Sequence, residues 1–321
     1  MALKKELSYS EAAVLAVQRE MEADARVVVL GEDVGRGGIF GQYKGLQQTF
    51  GAERVIDTPI SEAAIMGAGV GMALAGLRPV VEMRVVDFAL CGMDELVNQA
   101  AKNRFMFGGQ GRVPLVARMP GGIWDASAAQ HSQSLEAWFA HLPGVVVVSP
   151  STPQDNYGLL RAALQCGDPV VYIEHKTLWG LRGDVDEDIA VPLGQAARVR
   201  EGNALTLVSW SRQMQVCAAA CEALAAEGIA VDLIDLRTLW PWDRETVLSS
   251  CARTGRLLVV HEAVQAAGFG AEIAASAAEA TGCRVARLGA PRIPVGYAPM
   301  LEAQSRIGTQ AVVAAAKKLI D

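Results

Sequence analysis

Histidine and aromatic residues are scarce in this 321-residue chain: four histidines, and Phe, Trp and Tyr together at 6%. With so few imidazoles, each can be weighed singly as a proton-transfer group. The six cysteines, at 91, 166, 217, 221, 251 and 283, include no C-x-x-C pair. Neither a disulfide framework nor a zinc or iron–sulfur site is indicated. Cys217 and Cys221, four apart in an Ala-rich stretch, read as core packing. A net charge of −6 and the lack of any Lys/Arg stripe give no support to nucleic-acid binding. No apolar run reaches membrane-spanning length. The start, M-A-L-K-K-E-L-S-Y-S-E, lacks the apolar core of a signal peptide and reads as a helix entry. A cytoplasmic location, or an organelle matrix after processing, is the expectation. What is abundant is hydrophobic residues, 51% against 20% charged, in a chain long enough for two cores.

Runs of Val, Ile and Leu at about 27–30, 80–85, 113–117, 145–148 and 170–173 alternate with helical stretches near 9–23, 61–74, 93–105, 134–139 and 154–165. Continuous apolar strands separated by helices predict a parallel sheet covered on both faces. The stretch 177–202, rich in Gly and Asp with D-V-D-E-D at 184–188, interrupts the pattern. Alternation resumes with strands near 205–209, 231–235, 257–261 and 285–288 and helices near 213–227, 243–252 and 270–280. The expectation is α/β: two doubly wound domains, 1–183 and 203–321, joined by a linker at 184–202.

The segment D-T-P-I-S-E-A-A-I-M-G-A-G-V-G-M-A-L-A-G, 57–76, places one carboxylate, Glu62, at the mouth of a helix of small and apolar residues. Each glycine in a helix costs about 1 kcal/mol against Ala, so four of them ask for a reason. Two readings fit: a core helix with a solvated acid, or an acid that something binds. His131, in A-A-Q-H-S-Q-S after the loop P-G-G-I-W, suits proton transfer or a helix-capping loop. His141, before Pro143, reads as structural. His175, between Glu174 and Lys176, suits a site or an ion pair. His261 ends a strand, where open α/β sheets bind ligands, and is a weaker candidate. The loop G-E-D-V-G-R-G-G at 31–38 does not match G-x-x-x-x-G-K-[ST], and Glu32 and Asp33 stand where an anion would sit, which excludes phosphate binding there.

Several motifs occur in order: G-E-D-V-G (31–35), R-V-I-D-T-P-I-S-E (54–62), G-L-R-P-V-V-E (76–82), N-Q-A-A-K (98–102), F-G-G-Q (107–110), Q-H-S-Q-S (130–134), P-S-T-P (150–153), D-P-V-V (168–171), I-D-L-R-T (234–238) and R-T-G-R (253–256). Over nearly the whole chain the series resembles the β subunit of the thiamine-diphosphate-dependent first component of 2-oxo acid dehydrogenase complexes. The resemblance implies a thiamine pyrimidine-binding domain, then a transketolase C-terminal-like domain, in a heterotetramer of two α and two β subunits serving a lipoyl acyltransferase core. The α subunit then carries the diphosphate and Mg2+, which accounts for the absence here of a G-D-G with a downstream Asn pair.

Carried over by position, Glu62 resembles the glutamate that binds the aminopyrimidine ring, with an apolar pocket expected to raise its pKa. Phe88 resembles the aromatic packed on that ring, with Ile60 beside it, and His131 the histidine near the thiazolium. Glu32 resembles an acid in a proton path between paired sites. A potassium ion held by carbonyls of Leu115, Ala163, Leu164, Cys166 and Asp168 is also implied, as is close subunit packing at the Glu62 helix glycines. The chain departs from the family pattern at S-W-S (209–211), Arg84 and Cys91. E-H-K-T-L-W (174–179) and V-D-F-A-L-C (86–91) lean toward acetoin dehydrogenase β subunits, and a split transketolase half is a further alternative.

Overall fold

A computed structural model describes residues 4–321. The chain divides into two compact units, 1–121 with 138–193, and 122–137 with 194–321. The expected first domain is thus interrupted: the segment that carries His131 belongs with the second unit. The expected linker is also partly built into strands, 182–185 in one unit and 197–200 in the other.

In the first unit, β1 (Lys5–Ser8) leads into α1 (Tyr9–Ala23), followed by β2 (Val27–Gly31), α2 (Leu46–Phe50), β3 (Val55–Asp57), α3 (Glu62–Leu74) and β4 (Arg78–Glu82). A capping box starts α1: the Glu11 N–H donates to Ser8 Oγ, and the Ser8 N–H to the Glu11 carboxylate. After β4 come a 3-10 turn at Phe88–Gly92, a π-helical stretch at Glu95–Ala100 and α4 (Ala101–Met106), where one helix over 93–105 was expected. Then follow β5 (Val116–Arg118), α5 (Glu136–Ala140), β6 (Val146–Val148), α6 (Pro153–Gln165), β7 (Val170–Tyr172) and β8 (Arg182–Val185). The parallel strands of this unit run in the order β6-β7-β5-β4-β2-β3, and β1 pairs antiparallel with β8. Ala12, Ala13, Ala16 and Val17 of α1 pack with Leu159, Leu160 and Ala163 of α6 over Val27, Val29, Val80, Val116 and Val170.

The second unit contains β9 (Ala197–Arg200), β10 (Leu205–Ser209), α7 (Gln213–Ala226), β11 (Val231–Asp235), β12 (Thr238–Trp240), α8 (Arg244–Thr254), β13 (Arg256–Val264), α9 (Gly270–Thr281), β14 (Arg284–Ala290), α10 (Pro299–Glu302) and α11 (Thr309–Ile320). Its sheet runs β14-β13-β10-β11-β9, parallel except for the β9 edge. Met214, Cys217, Cys221 and Leu224 of α7 and Val312, Ala316 and Leu319 of α11 cover one face of it. All six cysteines are free thiols, and among the described residues no helix is long and apolar enough to cross a membrane.

Candidate active site

Parallel strands share one C-terminal edge, and β4, β2 and β3 are neighbours there. Glu32 follows the end of β2, Thr58 to Glu62 follow β3, and Phe88 follows β4 by a few residues. Tight backbone turns make the edge possible. Gly31, at φ +152°, pairs with Glu82, and a Cβ on it would lie 2.7 Å from the Glu82 Cβ. Gly35 donates its N–H to Asp57 Oδ1 at 2.7 Å, in a space where a Cβ would collide with Asp57 and Gln47. Gly92 comes so close to the first turn of α3 that a Cβ there would meet the Glu62 carbonyl at 3.1 Å and the Met66 Cβ at 3.2 Å. The Phe88–Gly92 turn is thereby seated against the end of α3 that bears Glu62.

Glu62 is half-buried at the first position of α3, and no hydrogen bond or ion pair from the described residues reaches its carboxylate. Its surroundings are therefore more open than the apolar pocket the sequence suggested. The Glu32 carboxyl is pushed up, by its own burial first and then by the negative charge of Glu62, against the pull of Arg84. Arg84, at φ +50°, sits 3.7 Å from Glu32 and 2.8 Å from Asp33, which also pairs with Arg36. Arg84 is thus engaged with the Glu32–Asp33 loop. Ile60, 77% exposed, stands at the mouth of α3, and the buried Thr58 Oγ1 lacks a hydrogen-bond partner. A free carboxylate, an orphaned hydroxyl and an uncovered apolar side chain within five residues fit a flat heteroaromatic ring with hydrogen-bonding nitrogens.

Below this edge lies a buried charge network that sequence reasoning missed. Arg118, fully buried on β5, forms a two-pronged pair with Glu174 and donates to the Gln42 carbonyl, with its guanidinium 4.9 Å over the Tyr43 ring. Asn156 Nδ2 donates to Glu174 at 2.7 Å, and Asn156 Oδ1 accepts from the Tyr172 hydroxyl at 2.9 Å. Glu82 takes a 2.6 Å hydrogen bond from Tyr43, and burial pushes its carboxyl up to about 7 despite nearby Arg118. The available signal was a lone charge closing an apolar run, as in V-V-E and L-V-A-R.

The expected potassium carbonyls are met from within the chain. Arg78 donates to Leu164 O at 2.8 Å through Nε, and to Cys166 O at 2.7 Å. The Val170 N–H donates to Leu115 O, the Cys166 N–H to Ala163 O, and the Asp168 side chain pairs with Arg104. Protein donors thus reach four of those carbonyls, two of them through the Arg78 guanidinium, and each carbonyl oxygen has two lone pairs. No step is assigned to a monovalent cation.

His131 is exposed on the 122–137 loop of the second unit. His141 is exposed, and His175 caps the 3-10 turn Lys176–Leu178, accepting from the Thr177 N–H. His261 is fully buried, and among the described residues its Nε2 has no hydrogen-bond partner. Its Nδ1 bonds the Ala263 carbonyl, its ring stacks on Trp210 at 5.4 Å, and burial holds its pKa down to about 4. A Cβ on Gly268, Gly270 or Gly289 would fall within 2.9 Å of that ring.

Comparison with known proteins divides the chain much as the sequence did, with no break at 122–137. Residues 5–180 match the transketolase pyrimidine-binding domain and residues 194–312 the transketolase C-terminal domain. The chain is 40% identical to the 2-oxoisovalerate dehydrogenase subunit beta of Bacillus subtilis (strain 168), covering 98% of this chain and 99% of that one. It is also 40% identical to the acetoin:2,6-dichlorophenolindophenol oxidoreductase subunit beta of Cupriavidus necator, with 98% of each covered. A mitochondrial pyruvate dehydrogenase E1 component subunit beta of Dictyostelium discoideum is 38% identical over 98% of this chain and 91% of its own length. A solved split-gene transketolase, described as an inactive beta4 tetramer, shares the fold at a TM-score of 0.83 and 21% identity, with 98% of each chain covered. The chain therefore belongs to the family of thiamine-diphosphate-dependent 2-oxo acid and acetoin dehydrogenase β subunits, built from a transketolase-type pyrimidine-binding domain and a transketolase-type C-terminal domain.

Proposed function

We propose that this chain acts with an α subunit, two of each, to decarboxylate a 2-oxo acid and pass the acyl group to the lipoyl arm of an acyltransferase core. The observation that carries the reading is the Glu62 carboxylate at the strand edge, reached by no hydrogen bond or ion pair among the described residues, with the raised Glu32 carboxyl acting on it electrostatically. Thiamine diphosphate, when bound, supplies the electron sink that decarboxylation needs. Glu62 shares a proton with the aminopyrimidine ring nitrogen, while Phe88 and Ile60 supply apolar surface for that ring. Glu32, whose carboxyl is pushed up by burial and by the charge of Glu62, would pass protons to and from Glu62. His131, on its exposed loop, would hold or move a proton near the reacting carbon during acyl transfer. Mg2+ and the diphosphate fall to the α subunit, consistent with the missing G-D-G motif.

Acetoin cleavage is the second reading, favoured by E-H-K-T-L-W at 174–179 and by equal identity to the acetoin enzyme's subunit. A reconstituted α/β pair assayed with pyruvate, branched-chain 2-oxo acids, acetoin and ketose phosphates decides. Acylation of a lipoyl domain driven by a 2-oxo acid is the expected result. Acetoin turnover alone selects the second reading, and turnover of ketose phosphates without lipoyl protein overturns both.

A further inference from the structure

The loop that carries His131 is held by the second unit's own acids. Its ends are closed by the Gly122 N–H donating to the Gln133 carbonyl at 3.0 Å. One oxygen of Glu262, at the end of β13, accepts from the Ile123 N–H at 2.7 Å and from Ser134 Oγ at 3.3 Å. A single carboxylate oxygen thus ties the chain together on both sides of His131. Further along, the Ala126 N–H donates to Glu302 Oε2 at 2.8 Å, and the buried Glu302 is oriented by Arg306, which also reaches Asp125. Glu136, at the loop's far end, accepts from Trp210 Nε1 at 3.2 Å. Ala126 and Ala128 both sit at positive φ, +53° and +57°. Residues with a Cβ hold that conformation only where their surroundings enforce it.

We infer that Glu262 and Glu302 are positioning residues: they fix the backbone of the 122–137 loop and thereby the placement of His131. Neither touches the reacting atoms, and the inference rests on the reading of His131 as a proton-handling group. Small misplacements of a catalytic group cost far more in rate than in binding. Because one oxygen of Glu262 accepts both hydrogen bonds, a glutamine keeps the clamp, whereas alanine removes it. Glu302 differs: Oε2 accepts from Ala126 and Oε1 from Arg306, so a glutamine there would turn its NH2 toward one of these donors.

The test uses the assembled α/β holoenzyme. Glu262→Ala is expected to lower kcat at least tenfold with KM within threefold, and Glu262→Gln to stay within threefold of the parent. On a His131→Ala background, Glu262→Ala is expected to cost nothing further. Chymotrypsin cleavage after Trp124, followed by mass spectrometry, reads the loop independently of activity: about tenfold faster in Glu262→Ala and Glu302→Ala, and unchanged in Glu262→Gln. Should Glu262→Ala fail to assemble, Glu262→Asp, which keeps the charge but shortens the reach, gives cleavage in the same direction. Unaltered cleavage in the alanine or aspartate variants overturns the inference, as does a full multiplicative loss in the double variant. Parental turnover in His131→Ala refutes the role of His131 while leaving the clamp to the proteolysis result.

Discussion

Replacing Glu82 by glutamine turns a buried titration into a change of slope. Glu82 is wholly buried, takes a 2.6 Å hydrogen bond from the Tyr43 hydroxyl, and has its carboxyl pushed up to about 7 from an ordinary 4.5. Burial is the leading cause, and the partial compensation from Arg118 is shared with Glu174. A folded-state pKa above the unfolded one means that the native protein holds the proton more tightly. Its contribution is complete below about 4.5 and is lost as pH climbs through 7. At about 1.4 kcal/mol per unit, the parent should lose roughly 2–3 kcal/mol relative to Glu82→Gln between pH 5 and pH 8. Glutamine mimics the neutral acid and can still accept from Tyr43. Denaturation of both proteins in the α/β assembly, at matched subunit concentrations across that range, supplies the difference curve. Parallel stability profiles would refute the assignment of Glu82 as the titrating group.

Removing one partner of the Arg118–Glu174 pair should be severe, because both side chains are wholly buried. Glu174→Ala is expected to destabilise the first unit by about 3–5 kcal/mol, read by the same denaturation. Gly31→Ala forces a Cβ to within 2.7 Å of Glu82 at a φ of +152°, and should cost on the order of 2 kcal/mol or more. Neither change alters the identity of a proposed catalytic group. Both should therefore lower the midpoint of unfolding more than they lower kcat at a temperature where the protein is folded.

The main strands were legible because a sheet covered on both faces demands continuous apolar runs, and β2, β10 and β11 are buried at every position. Short strands carried no such signal. β3 is three residues long, and the β1–β8 ladder is largely exposed. Glu62, Phe88 and Glu32 were singled out through their motif series, and the strand order places the segments that carry them at a common edge. The 122–137 loop was read as part of the first domain since its neighbours in sequence are there. Its membership of the second unit depends on Glu262, Glu302 and Trp210, more than 70 residues away in sequence. The potassium carbonyls were implied by resemblance alone, and local sequence does not reveal that Arg78 reaches two of them from 86 and 88 residues away.

Among the described residues, no hydrogen bond or ion pair reaches the carboxylate of Glu62, the group proposed to hold the cofactor ring. The direct test of that role is turnover of the reconstituted α/β pair carrying Glu62→Gln, with assembly followed by sedimentation. Loss of a positioned acid–base group typically costs a hundredfold or more. The account predicts turnover at least about 100-fold lower with the assembly intact. Turnover near the parental rate in a correctly assembled variant would contradict it.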